Sequence, residues 1–71
     1  MESEIPQFDQ IDRMWKSLRV AGMKAGHMAD HLGVTRETVS RWMVGRTRPS
    51  EATLRAWADR TGVPYDWLVN G

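Results

Sequence analysis

The chain of 71 residues has no cysteine. It can therefore form neither disulfides nor thiolate metal sites, the usual staples of small folds, and its stability has to come from packing alone. A domain of this length buries only about 60% of the surface its unfolded chain exposes, so the core must be compact. Long hydrophobic runs are missing too. No apolar stretch exceeds four residues, far short of the ~20 that span a bilayer. The acidic N-terminus MESEIPQFDQ has no signal-peptide character, and the expectation is a soluble, cytoplasmic protein. No segment alternates with period two, which argues against a sheet, and there is no repeat or low-complexity tract.

Little net charge is present, +1 in all, but it is unevenly distributed. Residues 1–12 carry four acids and no base. Residues 13–48 carry eight bases against Asp30 and Glu37, a local net of +6. The remainder comes to −1. A basic middle segment points to a polyanionic partner, although exposed helix faces are also charged for solubility alone.

The apolar residues that are present recur at helical spacing. Phe8, Ile11, Trp15 and Leu18 predict one face of a first helix running from near Asp9 to just before Gly22. Ala25, Met28, Ala29 and Leu32 predict a second helix of about two turns, stopped by Gly33. Thr35 can cap a third helix whose Val39 and Trp42 face the core and which Gly45 ends. After the basic loop Arg46 to Arg48, Ser50 caps a fourth helix with Leu54, Trp57, Ala58 and Thr61 inward and Gly62 at its end. Pro64 suits the first turn of a last short helix, from which Trp67 and Leu68 close the core. The fold class is thus all-α, with five helices in one domain over residues 8–71. Residues 1–7 form a flexible tail, and a helix-turn-helix occupies about 24–44.

The third helix carries the chemistry. With Val39 at 0° and 100° per residue, Thr35, Trp42 and Met43 fall within about 60° of it, while Glu37, Ser40, Arg41 and Val44 lie on the far side. Arg36 and Thr38 flank the helix start. Such a polar face is either simply solvated or a reading face. Helix, glycine turn, helix is the arrangement that holds two short helices at about 90–120° and lets the second enter a DNA groove. In a major groove about 12 Å wide, arginine can donate two bonds to guanine O6 and N7, glutamate can accept from cytosine N4, and the threonine methyl can pack on thymine.

The stretch MKAGHMADHLGVTRETVSRWMVGRTRPSEATLRAWADRTGVPYDWLVNG, Met23 to Gly71, resembles the lambda-repressor-like helix-turn-helix domain found in Cro and in phage immunity repressors. Ala29 and Gly33 at the turn, Val39 and Trp42 in the core, Gly45 with Arg46, Pro49 and the closing DWLVNG carry the likeness. The resemblance implies a compact five-helix fold and operator binding by the third helix. By position it implies that Arg36, Glu37, Thr38 and Arg41 read bases. Lys24, Thr35, Arg46, Thr47 and Arg48 then fall near phosphates, and Ser40 is assigned to the same set. Two departures stand out. The glutamine frequent at the first turn of helix two is Ala25, with Lys24 as a substitute, and the glutamate frequent after the tryptophan position is Met43, which removes the usual partner of Arg19.

Other chemistries are poorly supported. His27 and His31 stand four apart, as zinc ligands can, but no glutamate follows His27 and both face away from Met28 and Leu32; no metal or cofactor is expected. Ser40 has no histidine placed for a triad, so an enzyme is not expected. Trp15, Trp42, Trp57 and Trp67 all fall on core stripes, which favours burial over stacking on bases. Met14, Met28 and Met43 read as gap-filling residues. Two function classes remain. The first is a sequence-specific transcription regulator of the Cro or repressor type, found on the nucleoid when bound to double-stranded DNA. The second is an antitoxin-like or adaptor module that binds protein, with accessory DNA affinity. For the first, one reading helix covers only about four to six base pairs, too few to single out a genomic site, so a weak homodimer or a dimer on a near-palindromic operator is expected. The candidate dimer surface is Tyr65 and Val69, with Ile5 and Phe8 as the second choice. No membrane or small-molecule ligand is expected.

Overall fold

The structure is a computed structural model that describes the backbone from Ile5 and the side chains from Gln10 to Gly71. Five helices follow one another: α1 Ile5–Ala21, α2 Ala25–Leu32, α3 Arg36–Met43, α4 Glu51–Thr61 and α5 Tyr65–Asn70. Among the described residues there is no strand. The helix ends follow the local chemistry expected from the sequence. Thr35 Oγ1 accepts the Thr38 N–H at 3.1 Å and Ser50 Oγ accepts the Thr53 N–H at 3.2 Å, so each hydroxyl satisfies a donor that has no intrahelical partner. At the turn between α2 and α3, Gly33 takes φ 73°. This lets the Val34 N–H reach the Ala29 carbonyl and the Gly33 N–H reach that of Asp30, closing the C-terminus of α2 in a Schellman motif.

The core gathers Met14 and Leu18 from α1, Met28 and Ala29 from α2, Val39, Trp42 and Met43 from α3, Leu54, Trp57 and Ala58 from α4, and Leu68 from α5. Trp57 is fully buried, and its indole meets that of Trp42 edge to face with centroids 6.5 Å apart. Its N–H donates to Ser17 Oγ at 2.7 Å, and Ser17 in turn donates to the Met14 carbonyl at 2.7 Å. A buried serine and a buried indole N–H thus satisfy one another, as low-dielectric surroundings demand.

Four expectations need correction. The first helix starts at Ile5, not near Asp9; of the tail expected over residues 1–7, residues 1–4 lie outside the described residues. The inward face of α1 is Met14, Ser17 and Leu18, and Trp15 is 47% exposed. The apolar spacing of Ile11 and Trp15 is therefore not the core stripe. On this inward face Ser17 accepts the Trp57 N–H, a burial that no hydropathy pattern marks. Trp67 is half-buried against the core rather than within it. Finally, Pro64 is the residue before α5, with φ −65° and ψ 138°, rather than in its first turn. Its carbonyl still accepts the first backbone bond, from Leu68 at 3.0 Å.

Candidate nucleic-acid interface

Helices α2 and α3 meet at Gly33 and pack on each other, so the N-terminal ends of both border one open crevice. Lys24, Gly26, His27, Thr35 and Arg36 all line it. Helix N-termini carry unpaired N–H groups and positive dipole ends. Along α3, Val39, Trp42 and Met43 are buried, and Arg36, Glu37, Ser40 and Arg41 are exposed. The outward face read from the sequence is thus the outward face of the molecule. Thr38 is half-buried, and its hydroxyl lies 2.9 Å from that of Thr35. These two residues form the cap of α3 as well as standing at its leading edge.

Lys24, Arg46, Thr47 and Arg48 are exposed as well. Lys24 immediately precedes α2 and the other three follow α3. Among the described residues no carboxylate pairs with Lys24, Arg36, Arg41, Arg46 or Arg48; the ion pairs there are Lys16 with Asp12 at 3.3 Å and Arg55 with Glu51 at 2.9 Å. Gly45 sets the position of the basic loop. Its φ is 83°, and a Cβ there would stand 2.9 Å from Ile11 Cδ1. The positive φ is what favours glycine at this turn, where the Arg46 N–H is bonded back to the Arg41 carbonyl at 2.9 Å.

Two arginines that the charge count grouped together have different surroundings. Arg13 donates from Nε to the Leu68 carbonyl at 3.1 Å and from Nη2 to the Val69 carbonyl at 2.9 Å. It fastens the C-terminus of α5 onto α1 and does not belong to the basic face. Nothing in the sequence around Arg13 marks it as a cap for a helix 55 residues away. Arg19 is exposed, and Met43, at the position where a glutamate is frequent, is buried in the core.

His27 also has a local role. Its Nδ1 accepts the Lys24 N–H at 3.3 Å, which caps the start of α2 from three residues inside it. His27 thus acts as a helix cap, and His31 is exposed. Among the described residues no three His, Cys, Asp or Glu side chains come together, and no helix is long and apolar enough to cross a membrane.

The comparisons agree with this architecture. The family model described as helix-turn-helix matches residues 16–68, which spans α2 to α4 and parts of α1 and α5. An SPbeta prophage-derived uncharacterized HTH-type transcriptional regulator of Bacillus subtilis is 32% identical over 60 residues, 84% of this chain and 56% of the relative. An uncharacterized HTH-type transcriptional regulator of Haemophilus influenzae is 44% identical over 39 residues, 55% of this chain and 16% of the relative. The chain thus spans only part of the length of these two relatives. No solved structure matches. With buried α2 and α3 faces, a glycine turn between them and three quarters of the chain covered, the protein belongs to the helix-turn-helix family of the Cro and repressor type.

Proposed function

We propose that this domain binds double-stranded DNA as a transcription regulator of the phage Cro or repressor type, with α3 in the major groove of its operator. The observation that carries the reading is the α3 surface. Arg36, Glu37 and Arg41 are exposed along one helix, and Lys24, Arg46 and Arg48 flank it without a carboxylate partner among the described residues. In this reading Arg36, Glu37, Thr38 and Arg41 contact base edges. Lys24, Thr35, Ser40, Arg46, Thr47 and Arg48 contact the phosphates that fix the helix in register. The module binds and does not catalyse, and it acts in the cytoplasm. The family and the prophage-derived relative support it.

Two copies on a near-palindromic operator complete the reading, since half-sites one helical turn apart match a twofold pair. Tyr65 and Val69 are both half-buried, and the Arg55 guanidinium lies 4.2 Å from the centre of the Tyr65 ring. This leaves a small, partly polar patch suited to weak association. The side chains of Ile5 and Phe8, the alternative patch, lie outside the described residues. Selection of bound duplexes from a randomised pool, repeated at two salt concentrations, tests the proposal: a recovered palindromic motif is expected, and equal retention of all sequences would end it.

One observation favours the protein-binding reading as a second function. Trp15 is 47% and Val44 63% exposed, and with Ile11 they line a shallow groove between α1 and the end of α3. The two readings separate at the residue level: Arg36→Ala should weaken DNA binding if the operator reading is right and leave the groove, at the other end of α3, intact.

A further inference from the structure

Five of the six glycines have φ between 68° and 86°, and their place at helix ends accounts for them. Gly26 is different. It is the second residue of α2 and has no positive φ, and in a helix alanine would be the better former. Its environment is distinctive: a Cβ built on Gly26 would stand 3.8 Å from Arg36 Cγ, 3.7 Å from Cδ and 3.3 Å from Nε. The shaft of Arg36 therefore crosses α2 over the place where any other residue would have a side chain.

We infer that Gly26 is a specificity-determining positioning residue, whose missing Cβ lets Arg36 lie against α2 and so directs its guanidinium toward the DNA. The inference rests on the proposed reading of α3 and adds a residue to it from outside that helix. Cγ and Cδ would tolerate a methyl group at ordinary contact distance, but Nε at 3.3 Å would have to yield by a few tenths of an ångström. Nε is the root of the planar guanidinium. A displacement there tilts the whole fork, and the two parallel bonds to guanine O6 and N7 depend on that plane. Contact with α2 also restricts a side chain that otherwise loses much rotamer freedom on binding. Gly26 thus trades helix propensity for a pre-aimed arginine.

Selection from a randomised duplex pool tests this with four proteins: wild type, Arg36→Ala, Gly26→Ala and the double variant. The base pair whose preference Arg36→Ala erases is the one Arg36 reads. Gly26→Ala should weaken preference at that base pair about fivefold or more, the low end of a bidentate arginine contact, and leave other positions within about twofold. Its melting temperature should be no lower than that of wild type, and the double variant should match Arg36→Ala alone. A wild-type motif that Gly26→Ala leaves unchanged, or weakens equally at every position, would overturn the inference while the operator reading stands. So would a Gly26→Ala effect that persists without Arg36, or an Arg36→Ala variant with an unaltered motif. If Gly26→Ala unfolds and the double variant folds, the gap serves packing only and the inference is likewise overturned. A wild-type protein that selects no motif would remove the operator reading and this inference with it.

Discussion

Arg41 stands exposed on α3, whereas Arg13 from the same basic stretch is bound to the carbonyls of Leu68 and Val69. Charge counting treats them alike; only one is available to DNA. Arg41→Ala is expected to weaken operator binding by about 1–3 kcal/mol and relax one base position, as loss of a bidentate guanine contact does. Competition binding on operator and random duplexes checks this, and equal losses on both would exclude a base contact. Arg46→Ala should instead lower affinity on every sequence and reduce the slope of log K against log salt by about one, because one phosphate contact and its counterion release are lost. An unchanged slope would place Arg46 outside the interface. Inside the core, Ser17→Ala leaves the buried Trp57 N–H without its acceptor. It should cost about 1–3 kcal/mol in urea unfolding, although it removes only one small polar atom.

At the scale of the element, α3 depends on devices at both ends. Thr35 caps its start and Gly45 turns the chain out of its end. Thr35→Ala should lower stability by about 0.5–2 kcal/mol, measured from the shift in denaturation midpoint. Gly45→Ala should cost about 1–2 kcal/mol for the left-handed backbone, with the Ile11 side chain shifting to admit the new Cβ. A Gly45→Ala variant as stable as wild type would mean that the loop relaxes away from α1. Both devices were legible in the sequence, since a hydroxyl three residues before its recipient and a glycine after an apolar stripe act through local backbone chemistry. The phase of α1 was not legible. Ile11 and Trp15 are spaced as well as Met14 and Leu18 for an inward face, and the choice between them lies in the packing of Met14 and Leu18 into the core together with Ser17 meeting Trp57, 40 residues away.

For the whole molecule, the margin is narrow. A domain of this size is stable by about 4–10 kcal/mol, and truncating a buried aromatic typically costs about 3–5 kcal/mol. Trp42→Ala, which empties the core space where Trp42 meets Trp57, should therefore unfold the domain or lower its stability by about 3–5 kcal/mol in urea unfolding. A folded Trp42→Ala variant that has lost only DNA affinity would reassign Trp42 to the interface. Assembly belongs to this scale too. Footprinting at saturation should protect two symmetric half-sites, and a single protected half-site holding one chain would remove the dimer from the proposal.

The sequence by itself determined the five helices, the caps at Thr35 and Ser50, the glycine stops and the outward face of α3, because each depends on neighbours within a turn or two along the chain. The resemblance in the stretch from Met23 to Gly71 added the candidate contacts. Tertiary structure alone decided which face of α1 is internal, that Arg13 holds the end of α5, that Trp15 lies at the surface with its N–H 3.3 Å from the Met43 carbonyl, and that Arg36 crosses Gly26. Each of these joins residues of different helices. Periodicity records which residues share a face of one helix, but the rotation of that helix against its neighbours is set by steric fit and by buried polar groups finding partners.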